Sequence, residues 1–462
     1  MKNAELKEKK VEAAWKQIKD IAPEPVYLAL RRFASGFDGT RICEWLASLW
    51  DPETGGFYYS DSARDNDGFL PDIESTSQAI AFLQCFHATN DRNKLLPNEV
   101  KRRIMDFIIG CQSEDDGYFY HPQWPHGKDK LRVDRYGRDL GSATGLLNSL
   151  TVDRDGDGVE ERQFPKVCTP SGVKCKKHFG TDEVCECIKR KPVSKPTQPT
   201  PAKADASQGP DMPDFTSPET FTAWLEKINA DIKNNAGTPA HFINSQSSEI
   251  INRGYVPLVL DYVDRIQDEV YAEQTANGET PSGLWSYRAS YPLAQSLHKY
   301  FAFYNHKEYG RPFRYYKEAI ATAIDILLLD AEGKKGLNDL MNQWTSINHI
   351  IDNVRKYHPE DVPVLYEMIR ARGVEIIASA EHNLDAHRLG DGRFVYYMGK
   401  TLSNLYGVNV SLGVREGDVN GHLLAGHYYS SVFRALNYPT VPLCTDEDGE
   451  YFVELLMRKI QK

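Results

Sequence analysis

Residue types suited to chemistry collect in five short stretches, each leading into an apolar helical segment. FYYSDSARDNDGFLPDIEST (57–76) offers Tyr58, Tyr59, Arg64, Asp72 and Glu74. Asp72 and Glu74 are two apart and cannot share a helix face, so one suits a helix cap and the other general acid or base work. A glycosidase needs a second carboxyl across the sugar, about 5–10 Å away, so the partner must come from another stretch. GVREGDVNGHLLAGHYYSSVFRAL (413–436) offers Asp418, Asn420, His422 and His427. The two histidines are five apart, off the i,i+4 spacing of a helical zinc pair. NQWTSINHIIDNVRKYH (342–358) adds Asn348 and His349, and SAEHNLDAHRLGDGRFVYYM (379–398) adds His382 and Tyr396. GLWSYRASYPLAQSLHKY (283–300) adds Trp285, Tyr287, Arg288 and Tyr291. Arg and Asn can neutralise a uronate carboxylate while Tyr or His moves the adjacent proton, and aromatic rings give sugars a stacking platform. On this reading Asp72, Glu74, His349, Tyr396, Asp418 and His422 are catalytic, and the other residues named bind substrate. Each also has a plain structural role open to it, as cap, core or solvated face.

Two further motifs suit metals. Cys168, Cys175, Cys185 and Cys187 cluster with His178 in VCTPSGVKCKKHFGTDEVCEC, a set able to hold structural zinc or form disulfides. The spacing lacks the paired C-x2-C of common zinc knuckles. Asp153, Asp155 and Asp157 alternate before Gly158, as in a calcium loop. Phe164 stands where an EF-hand needs Glu, so the expectation is a calcium-binding surface loop or a solvated acidic turn.

The elements that must position these residues are helices. Apolar residues recur at helical spacing in 75–86, 99–112, 291–304, 313–330 and 421–436, and no run of consecutive alternating strands occurs. The expected class is all-α. A weak repeat overlies the helices: glycine–aromatic loops GGFYYS (55–60), DGYFYH (116–121), GLWSYR (283–288) and DGRFVYYM (391–398), followed by helices rich in small residues. Such hairpins cannot bury their faces alone and must stack or close. The Pro-rich stretch from Lys189 reads as a linker, ending at the helix start TSPE (216–219). Residues 1–150 and 216–462 are thus two helical halves, joined by an insert at 151–215 with an acidic loop, the Cys cluster and the Pro-rich linker.

The loop pattern resembles that of α/α toroids. CQSEDDGYF (111–119) is similar, with one extra residue, to the Q-x-x-x-G-x-W/F loop of the terpenoid cyclase and prenyltransferase superfamily. Six-hairpin carbohydrate-active toroids are similar too. The resemblance implies an α/α toroid interrupted by the Cys/Pro-rich insert, with its cavity at the starts of the inner helices. The cyclase acid motif D-x-D-D has only DIES (72–75) in its place. GHYYSSVFRAL (426–436) resembles the histidine-bearing helix of prenyltransferases, but no D-x-C pair precedes it. Charged cavity stretches also suit sugars better than hydrocarbons.

The chain has 462 residues with 41% hydrophobic and 26% charged, as globular proteins do, and a net charge of −10 that repels phosphate backbones. No apolar run reaches the ~20 residues of a membrane span. The first twenty residues are charged throughout, unlike a secretory signal, so a cytoplasmic location is expected. The resulting expectation is a glycoside hydrolase or polysaccharide/oligosaccharide lyase. It needs no cofactor beyond a structural calcium or zinc, acts on a small-molecule or oligosaccharide substrate, and binds neither nucleic acid nor membrane. An isoprenoid enzyme and a non-catalytic scaffold are the alternatives.

Overall fold

A computed structural model describes residues 2–123, 133–181, 212–287, 290–330 and 336–461. The chain is mostly helical. In order the helices are α1 (Lys2–Ile21), α2 (Glu24–Ala34), α3 (Gly39–Ser48), α4 (Asp61–Arg64), α5 (Ile73–Cys85), α6 (Arg92–Leu95), α7 (Asn98–Gly110) and α8 (Val133–Ser149). After the insert come α9 (Pro218–Ile228), α10 (Gly237–Ser245), α11 (Ser247–Asn252), α12 (Val256–Ala276), α13 (Tyr291–Tyr304), α14 (Tyr316–Leu327) and α15 (Leu337–Tyr357). Finally there are α16 (Val362–Ala371), α17 (Gly373–Asp385), α18 (Val419–Ala435) and α19 (Asp446–Ile460). The all-α expectation misses two small antiparallel hairpins. β1 (Thr151–Val152) pairs with β2 (Glu161–Arg162), and β3 (Asn404–Leu405) with β4 (Val408–Asn409). Strands of two residues are too short to show an alternating pattern.

Six helices pack in a closed cycle: α5 on α8, α8 on α10, α10 on α13, α13 on α15, α15 on α18, and α18 back on α5. The remaining long helices lie against these or pair among themselves, α2 on α17, α3 on α19 and α14 on α15. Small side chains let the cycle close. Ser346 of α15 is fully buried and donates to Ala294 O of α13 at 3.0 Å. Gly426 of α18 faces the Phe86 ring, with no room for a Cβ.

The repeat of the sequence becomes one structural device. Gly55, Gly117, Gly283 and Gly392 all have φ between +70 and +87, which favours glycine. Two residues after each stands a fully buried aromatic: Phe57, Phe119, Trp285 and Phe394. A side chain from the preceding outer segment ties down the glycine carbonyl in three of the loops. Trp50 Nε1 donates to Gly55 O at 3.1 Å, Gln112 Nε2 to Gly117 O at 3.1 Å and Gln267 Nε2 to Gly283 O at 2.7 Å. Burying each aromatic contributes roughly 1.5–3 kcal/mol. The loops therefore fix how each outer segment hands over to the next packed helix.

The helix starts follow local chemistry. Ser217 caps α9 through a capping box with Thr220, with Pro218 in the first turn. Asp72 caps α5 and Asp418 caps α18. The stretch 313–330 begins its helix only at Tyr316, because Tyr315 holds φ +50. No described helix is long and apolar enough to cross a membrane.

Candidate functional site

A cavity of about 260 Å³ opens between α5, α8, α10 and α13. Its charged and ionisable lining is Glu74 from α5, Arg138 from α8, His241 from α10 and Lys299 from α13. Gln78 and a run of serines complete the polar wall. Gly141 of α8 faces it with open space where a Cβ would stand.

Glu74 is 2% exposed. Arg138 Nε lies 3.0 Å from both its oxygens, and Arg135 Nη1 lies 3.2 Å from Oε2. Burial pushes this carboxyl up, but the two guanidinium groups outweigh it and hold it below the usual range. Arg135 also holds Asp139, its Nε 2.8 Å from Oδ2. The Glu74–Arg138–Arg135–Asp139 chain thus balances two charges of each sign. Arg138 stands 4.8 Å under the ring of Tyr406, at the turn between β3 and β4, and Tyr406 stacks on His241 at 5.3 Å.

Lys299 differs from its neighbours. Its ammonium makes no hydrogen bond or ion pair with any described residue. Burial, helped by Arg138, lowers its pKa to about 8. It is still mostly charged at neutral pH. Lys299 is half-buried, and Glu74 and Asp339 attract it only from a distance, so its desolvation is incompletely offset and an anion entering the cavity finds a cation ready to pair.

The sequence expected Asp72 or Glu74 to cap and the other to face the cavity; Asp72 caps. It accepts from Ser75 N at 2.7 Å and Ser75 Oγ at 2.6 Å, with His121 Nε2 at 3.9 Å. Asp418 is a structural joint. Its two oxygens accept from Gly421 N at 2.6 Å and Tyr396 N at 2.8 Å. Its own N–H donates to Phe394 O, and Val419 N–H donates to Tyr59 O. It thereby joins the first and last glycine–aromatic loops. Burial raises its carboxyl to about 6 against the pull of those amides.

His422 is core. It stacks on Trp45 at 4.1 Å, its Nε2 accepts from Phe394 N at 3.3 Å, and burial lowers it to about 3. His349 stacks on His298 at 5.3 Å and burial lowers it to about 4. Asn348 Nδ2 donates to Ser431 O at 3.1 Å, tying α15 to α18. Tyr396 donates to Asn338 Oδ1. Asn420 accepts from cavity residue Gln78 at 3.3 Å. His427 lines a separate cavity of about 570 Å³ with Arg355, Arg434 and Tyr438.

Several expected substrate contacts lie elsewhere. Arg64 pairs with Asp61 at 3.1 Å and Asp65 at 2.7 Å. Tyr58 is half-buried against the core, and Tyr59 packs on Leu405, Val408 and Val410. Trp285 is the buried aromatic of its loop, Tyr287 bonds Glu273 at the surface, and His382 is exposed on α17. Tyr291 opens α13, and Arg288 lies outside the described residues. Helical spacing does not say which loop residues turn inward.

Arg138, Lys299 and His241 were missed. The available signal was Lys299 as the sole charged residue of YPLAQSLHKYFAFY (291–304). Arg135 and Arg138 likewise precede the small-residue run GSATG.

For metals, Cys168 Sγ lies 3.7 Å from Cys175 Sγ, which lies 3.3 Å from His178 Nδ1. All three side chains are buried. Cys185 and Cys187 lie outside the described residues. Among the described residues, Asp153, Asp155 and Asp157 form no comparable group. Both Asp153 oxygens accept from backbone amides, Gly156 at 2.7 Å and Gly158 at 3.0 Å, as in an acidic turn. No protein-family model, curated protein or solved structure matches the chain.

Proposed function

We propose that the six-helix cycle is an α/α toroid and that the chain is a carbohydrate-active enzyme of the lyase kind. Its substrate is an acidic sugar held in the cavity between α5, α8, α10 and α13. The closed packing order and the four glycine–aromatic loops support the toroid. The observation that carries the function is Lys299, a half-buried cation on the cavity wall beside Arg138, with no carboxylate among the described residues within ion-pair distance.

In this reading Lys299 neutralises a uronate carboxylate beside the Glu74-paired Arg138, and that neutralisation acidifies the adjacent C–H. His241 and Tyr406, stacked above, are placed to take that proton and protonate the leaving oxygen. The C–O bond to the leaving sugar breaks as a C=C bond forms. Hydrolysis has less support. It requires two carboxyls with separate roles, and Glu74, the carboxylate lining the cavity, is held by two arginines. The charged lining also argues for sugars over hydrocarbons.

The test is turnover of uronate-containing and neutral oligosaccharides, read for unsaturated product and for reducing ends. Unsaturation with uronates, lost in Lys299→Met while the helical signal is kept, is the expected result. Reducing ends without unsaturation would transfer the proposal to hydrolysis. Silence across the panel would overturn it.

A further inference from the structure

We infer that Cys168, Cys175 and His178 form the core of a structural zinc site, independent of the sugar reading. Two thiolates at about 2.3 Å from a tetrahedral zinc stand about 3.8 Å apart, and a thiolate and an imidazole nitrogen about 3.6 Å apart. The observed spacings are 3.7 Å between the sulfurs and 3.3 Å from Cys175 Sγ to His178 Nδ1. A disulfide would hold its sulfurs near 2.05 Å. The three donor atoms lie within 4.8 Å of one another, and the side chains are 4%, 3% and 7% exposed.

The backbone is arranged for thiolates. Cys175 N–H donates to Cys168 Sγ at 3.4 Å, a bond that stabilises negative charge on sulfur. Between the cysteines, Thr169 N–H donates to Val173 O at 2.9 Å, and Val173 N–H returns to Thr169 Oγ1 at 3.0 Å. That turn brings two residues seven apart onto one point. A tetrahedral zinc takes four donors, so these three leave one position for a further ligand.

The site's place says what it does. Just before Cys168, Val167 N–H donates to Gln112 Oε1 at 3.2 Å, and Gln112 Nε2 donates back to Val167 O at 2.9 Å. Gln112 is also the side chain that holds Gly117 O in its glycine–aromatic loop. The ion would pin the insert to the end of α7 without touching the cavity lining. On binding, each coordinating thiol loses its proton to solvent, so retention falls with acidity.

The test is metal content of the full chain purified without chelator, then cobalt substitution of the chelator-treated protein. One zinc per chain is expected, with sulfur-to-cobalt charge-transfer and tetrahedral d–d bands in the cobalt form. Cys168→Ser, Cys175→Ser and His178→Ala should each lose most of the metal. Wild-type chain that is folded, lacks zinc and gives no cobalt bands would overturn the inference, with no variant needed. So would a native Cys168–Cys175 disulfide in reduced-cell preparations.

Discussion

At the residue scale, Lys299 makes the sharpest claim. Its folded pKa is about 8 against an ordinary 10.5. Below pH 8 the folded chain carries a charge whose desolvation Glu74 and Asp339 offset only in part. Between pH 8 and 10.5 the unfolded chain binds more protons, so this group's contribution to stability rises with pH there. Lys299→Met should therefore be more stable than wild type at pH 7, and the difference should shrink toward pH 10, as followed by urea unfolding. An unchanged gap would mean that the ammonium is paired in solution. On the proposed function, the same group sets ligand affinity. A bound uronate or other carboxylate should be held tightly below pH 8 and lose about tenfold per pH unit above it, by calorimetry. A flat profile would remove Lys299 from the binding role.

At the element scale, the glycines separate room from necessity. A Cβ on Gly141 meets nothing within 4 Å. Gly141→Ala should therefore stabilise α8 by up to about 1 kcal/mol. Gly283 is the opposite case. It holds φ +70, and a Cβ there would lie 2.6 Å from Ala319 N and 2.7 Å from Tyr315 O. Gly283→Ala should cost about 1–3 kcal/mol or more, since backbone strain and a collision act together. Thermal unfolding of the pair decides the matter, and equal effects of one sign would contradict the loop geometry. The repeat itself was legible because glycine at positive φ and a large buried aromatic leave marks in sequence. The tie from Gln267 to Gly283 was not, because it spans 16 residues with no fixed spacing.

At the scale of the whole molecule, the two halves around the insert are interlocked. The packing of α5 on α18, α8 on α10, α2 on α17 and α3 on α19 joins residues of 1–150 to residues of 216–462. Asp418 adds a backbone joint between loops more than 300 residues apart. Chains split inside the Pro-rich stretch, as 1–188 and 212–462, should co-purify when expressed together and unfold in one transition. Two independent transitions, or fragments that separate, would mean that the halves are autonomous domains.

What the sequence determined by itself was local. Helical periodicity, the helix start at TSPE (216–219) and the glycine–aromatic loops are short-range consequences of side-chain chemistry and backbone freedom. The thiol cluster was visible for the same reason. Cavity membership was decided only by tertiary structure. Asp418 and His422 looked reactive in a one-dimensional list, yet packing buries them as a joint and a core ring. Arg138, Lys299 and His241 come from three helices far apart in sequence, and only the closed packing of those helices brings them to one wall. A charge's role depends on which opposite charges surround it, and that is a property of the folded arrangement.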